Sequence, residues 1–276
     1  PGTYLEANLS FGGKDLSLVS EAGPGQTVID AQAAGRVLLF QGFESQAALL
    51  EGFTLQNGRA PDGVPGGLQQ LGWPGEHGGG LYVYGASPTV RDCVLRWNVA
   101  GAGGAVYLDA NSDAYMEDSD FIGNSAPTAG AVMAWGSDLR LEGDLFQENS
   151  ATAEAGAIYY YDNVDGSISD TTFEENTALG DGGALWTDED VVLRMQTTTF
   201  SGNEAGGAGG AGYFFDSSVY CDECELGQNQ AGDDGGGFWL YISYLSVTDS
   251  DFTLNNPDDV HLYFTGDSYT FGLSAS

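Results

Sequence analysis

The chain has 276 residues, 40 acidic side chains against 7 basic ones, and a formal charge of −33. A surface this negative repels phosphate backbones and anionic lipid headgroups, which argues against nucleic-acid and peripheral membrane binding and leaves cations and neutral ligands. With 42% hydrophobic and 12% aromatic residues the charge does not signify disorder, and no apolar run is long enough to insert into a bilayer.

Three cysteines are too few for a disulfide scaffold in a chain of this length. The sequence opens at Pro1 without a basic and apolar leader, so a processed product or a piece of something longer is expected.

Residues 1–57 read as short strands separated by turns: Leu16 to Val19, Thr27 to Asp30, Val37 to Phe40 and Leu50 to Asn57. Residues 58–77 form an insertion, because Asn57 reaches Gly79 only after 22 residues where Asn98 reaches Gly104 after six. Leu68, Leu71 and Trp73 within it are expected to pack onto something, as a flap or a protruding loop.

Residues 78–255 are a repeat. One element is a small-residue pair followed by a small, an apolar and usually a large residue, as in Gly103-Gly104-Ala105-Val106-Tyr107 and Gly182-Gly183-Ala184-Leu185-Trp186. Its central glycines fall at 79, 104, 130, 156, 183, 210 and 236, a step of 25 to 27. The other element is an apolar residue, then Phe or Leu five later, Asn three further on and usually Ala two after that, as in Ile168, Phe173, Asn176 and Ala178. Residues 256–276 hold a last strand, Asp259 to Phe264, and the C-terminal end.

A repeat of this length, made only of strand and turn signals, fits one coil of a right-handed parallel β-helix. The chain is read as one all-β solenoid domain, 1–276, whose irregular first coils cap an apolar end. Equivalent residues then stack about 4.8 Å apart, with Phe and Leu in apolar ladders. Asn is expected at these positions because its amide tolerates the left-handed turn conformation and bonds its copies above and below.

The paired elements, as in Gly183-Ala184-Leu185 with Phe173-Glu174-Glu175-Asn176, resemble the repeats of the polymorphic outer-membrane protein family of chlamydiae and related β-helix surface proteins. Pro1 to Glu6 and Gly52 to Asn57 resemble the start of pectin-lyase-like β-helices. The resemblance implies a secreted, surface-displayed, adhesin-like passenger, and none of these 276 residues is expected to form that family's C-terminal membrane barrel, so the resemblance does not carry over a mode of anchoring. The fold itself hosts lyases, hydrolases, adhesins and fibres, so it does not name an activity.

Strand alternation sends Leu81, Val106, Val132, Ile158, Leu185, Gly212 and Phe238 inward, so the next residue of each strand points outward. One outward column reads Tyr82, Tyr107, Met133, Tyr159, Trp186, Tyr213, Trp239, and its neighbour Tyr84, Asp109, Trp135, Tyr161, Asp188, Phe215, Tyr241. An aromatic strip with interspersed carboxylates suits sugars, whose C–H faces stack on rings while hydroxyls bond to Asp and Tyr oxygens. The candidate ligand-binding residues are Tyr82, Tyr84, Tyr107, Asp109, Trp135, Tyr159, Tyr161, Trp186, Asp188, Tyr213, Trp239 and Tyr241. Stacking within the chain, or cover by another chain, would account for the same pattern. In pectin-lyase-like enzymes the substrate groove runs along this type of sheet, which is an implication of the resemblance.

Catalysis has less to stand on. A lyase on this fold needs a cationic base, and none of Lys14, Arg36, Arg59, Arg91, Arg96, Arg140 and Arg194 follows the aromatic columns. Asp109, Asp188 and Asp233-Asp234 could furnish the two carboxylates of a glycoside hydrolase, but they read more simply as solvated turn residues. No catalytic residue is assigned, and a carbohydrate-active enzyme stays as an alternative to a glycan-binding surface module and to a purely structural segment.

No cofactor is expected apart from calcium, for which Asp188-Glu189-Asp190 and Asp258-Asp259 carry suitable oxygens. Cys221 and Cys224 occupy core slots, either bridged or as buried thiols, while Cys93 lies five coils from Cys224 and out of bridging reach.

Overall fold

The computed structural model describes residues 1–60 and 77–263, and the backbone of a strand at Phe271–Ser274. Leu68, Leu71 and Trp73, on which the expectation of a packed insertion rests, lie outside the described residues.

Each coil contributes one strand to each of three parallel sheets, with ten strands per sheet among the described residues. The first sheet runs from Gly2–Tyr4 through Leu145–Gln147 to Asp251–Thr253, and the second from Leu9–Ser10 through Ile158–Tyr161 to Val260–Tyr263. The third runs from Ser17–Val19 through Asp165–Ser169 to Phe271–Ser274. Two-residue strands from Ser125–Ala126 to Gln230–Ala231 add a fourth, five-stranded ladder between the first and second sheets. Pairing is parallel and in register, so Ile158 lies over Leu185 and Phe146 over Phe173. The strand at Phe271–Ser274, beyond the expected last strand, carries the third sheet one coil further.

The repeats explain why the coils close. A Cβ on Gly130 would sit 2.1 Å from the carbonyl oxygen of Gly156, so the central glycine is demanded by the approach of the next coil's backbone. Inside the tube Phe121, Phe146, Phe173 and Phe200 are fully buried and stack at centroid spacings of 4.4, 4.9 and 4.9 Å.

The asparagines form the expected hydrogen-bonded ladder, but the left-handed conformation expected of them is carried elsewhere. Asn98, Asn124, Asn149, Asn176, Asn203 and Asn229 are fully buried, and each accepts a hydrogen bond through Oδ1 from a neighbouring coil, as Asn176 does from the backbone N–H (3.1 Å) and Nδ2 (3.0 Å) of Asn149. The left-handed conformation falls on the residue before: Trp97, Gly123, Glu148, Glu175, Gly202, Gln228 and Leu254 have φ between 53° and 65°. Asparagine is therefore there for its amide, which satisfies buried backbone groups at the corner between the first sheet and its neighbour, and the backbone turn is borne by whatever precedes it.

Cys221 and Cys224 are both buried and joined by a disulfide. Cys93 is a buried thiol whose pKa burial pushes up to about 12. Cys93, Cys224 and Asp144 share an inward slot with Ser119, Thr171 and Thr198, a second polar ladder at the corner after the third sheet.

Candidate functional site

The two outward columns of the second sheet arise from the alternation of its four-residue strands. In Leu185–Asp188, Leu185 and Thr187 are buried while Trp186 and Asp188 face out. In-register pairing sets Tyr159 over Trp186 and Tyr161 over Asp188, then Trp186 over Tyr213 and Tyr213 over Trp239. All twelve candidate residues thus lie on this one face.

They do not share one environment. Tyr82, Tyr107 and Met133 are only 9%, 4% and 4% exposed and cluster with Ala129, while Ala102 lies against them. His77 stacks on Tyr107 at 4.3 Å, and the Arg36 guanidinium lies 5.0 Å over the Tyr82 ring. Burial, reinforced by the Asp109 charge, pushes the Tyr82 phenol up to about 12. Burial, with Arg36 close by, brings His77 down to about 4, and both its ring nitrogens are buried without a hydrogen-bond partner. This end of the strip is closed by the chain's own side chains.

Tyr84, Asp109, Trp135, Tyr159, Tyr161, Trp186, Asp188, Tyr213, Trp239 and Tyr241 are half-buried. From Tyr159 onward the rings stack along the helix axis: Tyr159 to Trp186 at 5.2 Å and 21°, Trp186 to Tyr213 at 4.9 Å and 55°, Tyr213 to Trp239 at 4.4 Å and 12°. Rings that stack in this way turn their faces to one another and their rims to solvent. The picture of a sugar lying flat on each ring in turn is corrected accordingly: what the strip offers to solvent is a row of ring rims with phenol and carboxylate groups, interrupted by the tilt at Tyr213, while the Trp186 indole N–H is buried.

The strip also runs further than its sequence pattern suggested. His261 and Tyr263 extend it, their rings 6.4 and 6.2 Å from that of Trp239. The signal was present, since Val260-His261-Leu262-Tyr263 repeats the alternation of Phe238-Trp239-Leu240-Tyr241. His77 and Arg36 gave no comparable signal, because they come from outside the repeat.

Polar capacity is left unused at one place. Trp186 Nε1 and Asp188 Oδ1, two residues apart on the same face of one strand, are buried and make no hydrogen bond. The other Asp188 oxygen accepts a long bond, 3.4 Å, from the Tyr159 hydroxyl. Burial raises the Asp188 pKa, Glu189 and Asp216 raise it further, and the hydrogen bonds from the Glu189 backbone and Tyr159 oppose them. A hydrogen bond to Glu189 pushes the Tyr161 phenol up to about 12. Among the described residues no three His, Cys, Asp or Glu side chains converge where they could hold a metal ion, so the calcium expectation acquires no ligand set there.

A family model described as a right handed beta helix region matches residues 73–218, just over half of the chain. No curated protein and no solved structure matches it.

Proposed function

We propose, for a chain that belongs to the right-handed β-helix family, a non-enzymatic role as a secreted or surface-displayed module whose second-sheet strip binds glycans or neighbouring surfaces. The observation that carries this reading is the pair of unpartnered groups in the middle of the strip, a donor at Trp186 Nε1 and an acceptor at Asp188 Oδ1. Hydroxyls are the chemical groups that answer both, since a hydroxyl oxygen accepts from an N–H and a hydroxyl proton goes to a carboxylate. Carbohydrates present many hydroxyls on a compact frame. Supplying partners to two buried polar groups relieves a penalty of roughly 1–3 kcal/mol each.

A glycan array probed with the native chain and with Trp186→Ala and Tyr159→Ala tests the reading. Binding to a defined set of glycans, weakened about tenfold or more in Trp186→Ala, is expected. Reducing-sugar release that disappears in Asp188→Asn would replace binding with hydrolysis.

A purely architectural role is the second reading, favoured by the occupation of most ring faces by other rings. It predicts that no glycan binds and that both substitutions act only by lowering the melting temperature.

A further inference from the structure

The seven basic residues are Lys14, Arg36, Arg59, Arg91, Arg96, Arg140 and Arg194, and none belongs to a strand of the second sheet. Arg91, Arg140 and Arg194 lie on the third sheet, where they pair with Glu117, Glu142 and Asp165. Arg96 stacks on Trp97 from the first sheet, and Arg36 lies over Tyr82 at the closed end of the strip. The open stretch from Tyr159 to Tyr263 therefore draws no lysine or arginine from its own sheet, and its histidine, His261, sits at the far end against Asp234 and Asp258, three coils from Asp188.

Carboxylates do crowd there. Asp188 is flanked by Glu189 and Asp216, whose charges disfavour its ionised form, and Asp181 and Asp188 both act on Tyr213. Asp188 is thus a half-buried acid with one oxygen unpartnered, set among like charges on a molecule of net charge −33. A neutral hydroxyl would satisfy the hydrogen bond and leave the charge uncompensated. An ammonium group would satisfy both, and the field of the whole molecule would draw a cationic chain in.

Resting on the glycan-binding reading above, we infer that the ligand of the Trp186 and Asp188 site is an amino-sugar chain bearing protonated amines, with Asp188 taking an ammonium group and Trp186 Nε1 donating to a sugar oxygen. Polyanionic glycans are repelled by the same field. A second copy of this chain, equally acidic, is repelled as well.

The test is calorimetric titration of the native chain with three hexamers: β-1,4-linked glucosamine, its fully N-acetylated counterpart, and β-1,4-linked glucose. It is run at pH 6, where the amines are largely protonated, and at 0.15 M salt, where diffuse attraction between exposed charges is damped beyond about 8 Å. The glucosamine hexamer is expected to bind at least about tenfold more tightly than either neutral chain. Asp188→Asn should abolish that preference, while Glu225→Gln, which removes an exposed acid of the first sheet, should leave it intact. Trp186→Phe, which keeps a ring and removes the N–H, should weaken all binding severalfold, and circular dichroism melts establish that each variant is folded.

Equal binding of neutral and amine hexamers, lost together in Trp186→Ala, would overturn the amine inference and leave glycan binding standing. Binding of the amine alone, reduced equally by Asp188→Asn and Glu225→Gln, would overturn the site in favour of diffuse attraction. No binding of any hexamer would overturn both this inference and the reading beneath it.

Discussion

Asp144 shows how a single residue can depart from the ladder that contains it. Its column is otherwise filled by Cys93, Ser119, Thr171, Thr198, Cys224 and Ser250, small groups of which Ser119, Thr171 and Ser250 each accept a backbone hydrogen bond. Asp144 does the same work, accepting from the Ser119 N–H at 2.8 Å and the Glu142 N–H at 3.1 Å, but it brings a carboxyl group into a position only 2% exposed. Burial pushes its pKa up to about 8 against the opposing pull of those two N–H groups, with Asp118 and Asp120 adding to the rise. Because the folded value lies above the unfolded one near 3.8, folding favours the protonated form. The group's contribution to stability is therefore whole below about pH 4 and is lost as the pH rises through about 8. Replacing it with the residue its neighbours use, Asp144→Thr, should stabilise the fold by on the order of 2–5 kcal/mol at pH 8 and by little at pH 4. Urea unfolding of the two proteins at both pH values measures this, and a difference independent of pH would contradict it. The repeat register aligns Asp144, two residues before Phe146, with Ser119 before Phe121 and Cys224 before Leu226, but a pattern built on size and polarity does not show how completely the coil closes over the carboxyl group.

At the level of strands, an in-register stack makes each column a set of interchangeable parts, and the exceptions compensate for one another. Tyr160 stands in an inward column with Val83, Leu108, Thr187 and Leu240, and its large ring is accommodated because Gly166 replaces the Leu139 and Leu193 of the facing third-sheet column. A Cβ on Gly166 would lie 3.2 Å from Tyr160 Cε1 and 3.1 Å from a Leu193 methyl. Gly166→Leu alone should then cost about 1–3 kcal/mol by overpacking, and Tyr160→Leu alone should cost by leaving a void. The double substitution rebuilds the ordinary coil and removes the unpartnered Tyr160 hydroxyl, so the cycle should show a favourable coupling of about 1–3 kcal/mol in thermal or urea unfolding. Additive effects would mean that the two residues do not share the space assigned to them. The same logic explains what could be read beforehand. Period and alternation determine which coil a residue occupies and whether it points in or out, which is why the repeat elements located the second-sheet columns and the Asn ladder. They are silent on the torsions that decide whether a ring shows its face or its rim. They are equally silent on side chains from outside the repeat, such as His77 and Arg36, which close one end of the strip.

For the molecule as a whole, parallel stacking has an electrostatic consequence that an antiparallel fold of the same composition could avoid. Equivalent residues lie one sheet spacing apart, about 4.8 Å, so an acidic position recurring in the repeat places like charge over like. Asp113 over Asp138 and Glu117 over Glu142 are such pairs, and Asp138 helps to raise the Asp113 pKa. The described arginine ion pairs that relieve this are few and at least partly exposed: Arg91 with Glu51 and Glu117, Arg140 with Glu142, and Arg194 with Asp165. Pairs of that kind contribute about 0–1 kcal/mol each. Repulsion among 40 acidic groups therefore outweighs them, and added salt should stabilise the fold. The melting temperature is expected to rise steadily between 0.01 and 1 M sodium chloride, by roughly 2–4 °C for each kcal/mol of repulsion removed. The form of the rise is also specified. The Debye length falls from about 30 Å to about 10 Å by 0.1 M, which screens charges two or more coils apart, whereas neighbouring coils are screened only as it approaches 3 Å near 1 M. A gain that continues above 0.1 M, and that an uncharged osmolyte such as sucrose does not reproduce in form, would locate part of the repulsion between adjacent coils. A melting temperature that falls with salt would mean that the arginine pairs dominate, and that the acid excess is already compensated within the fold.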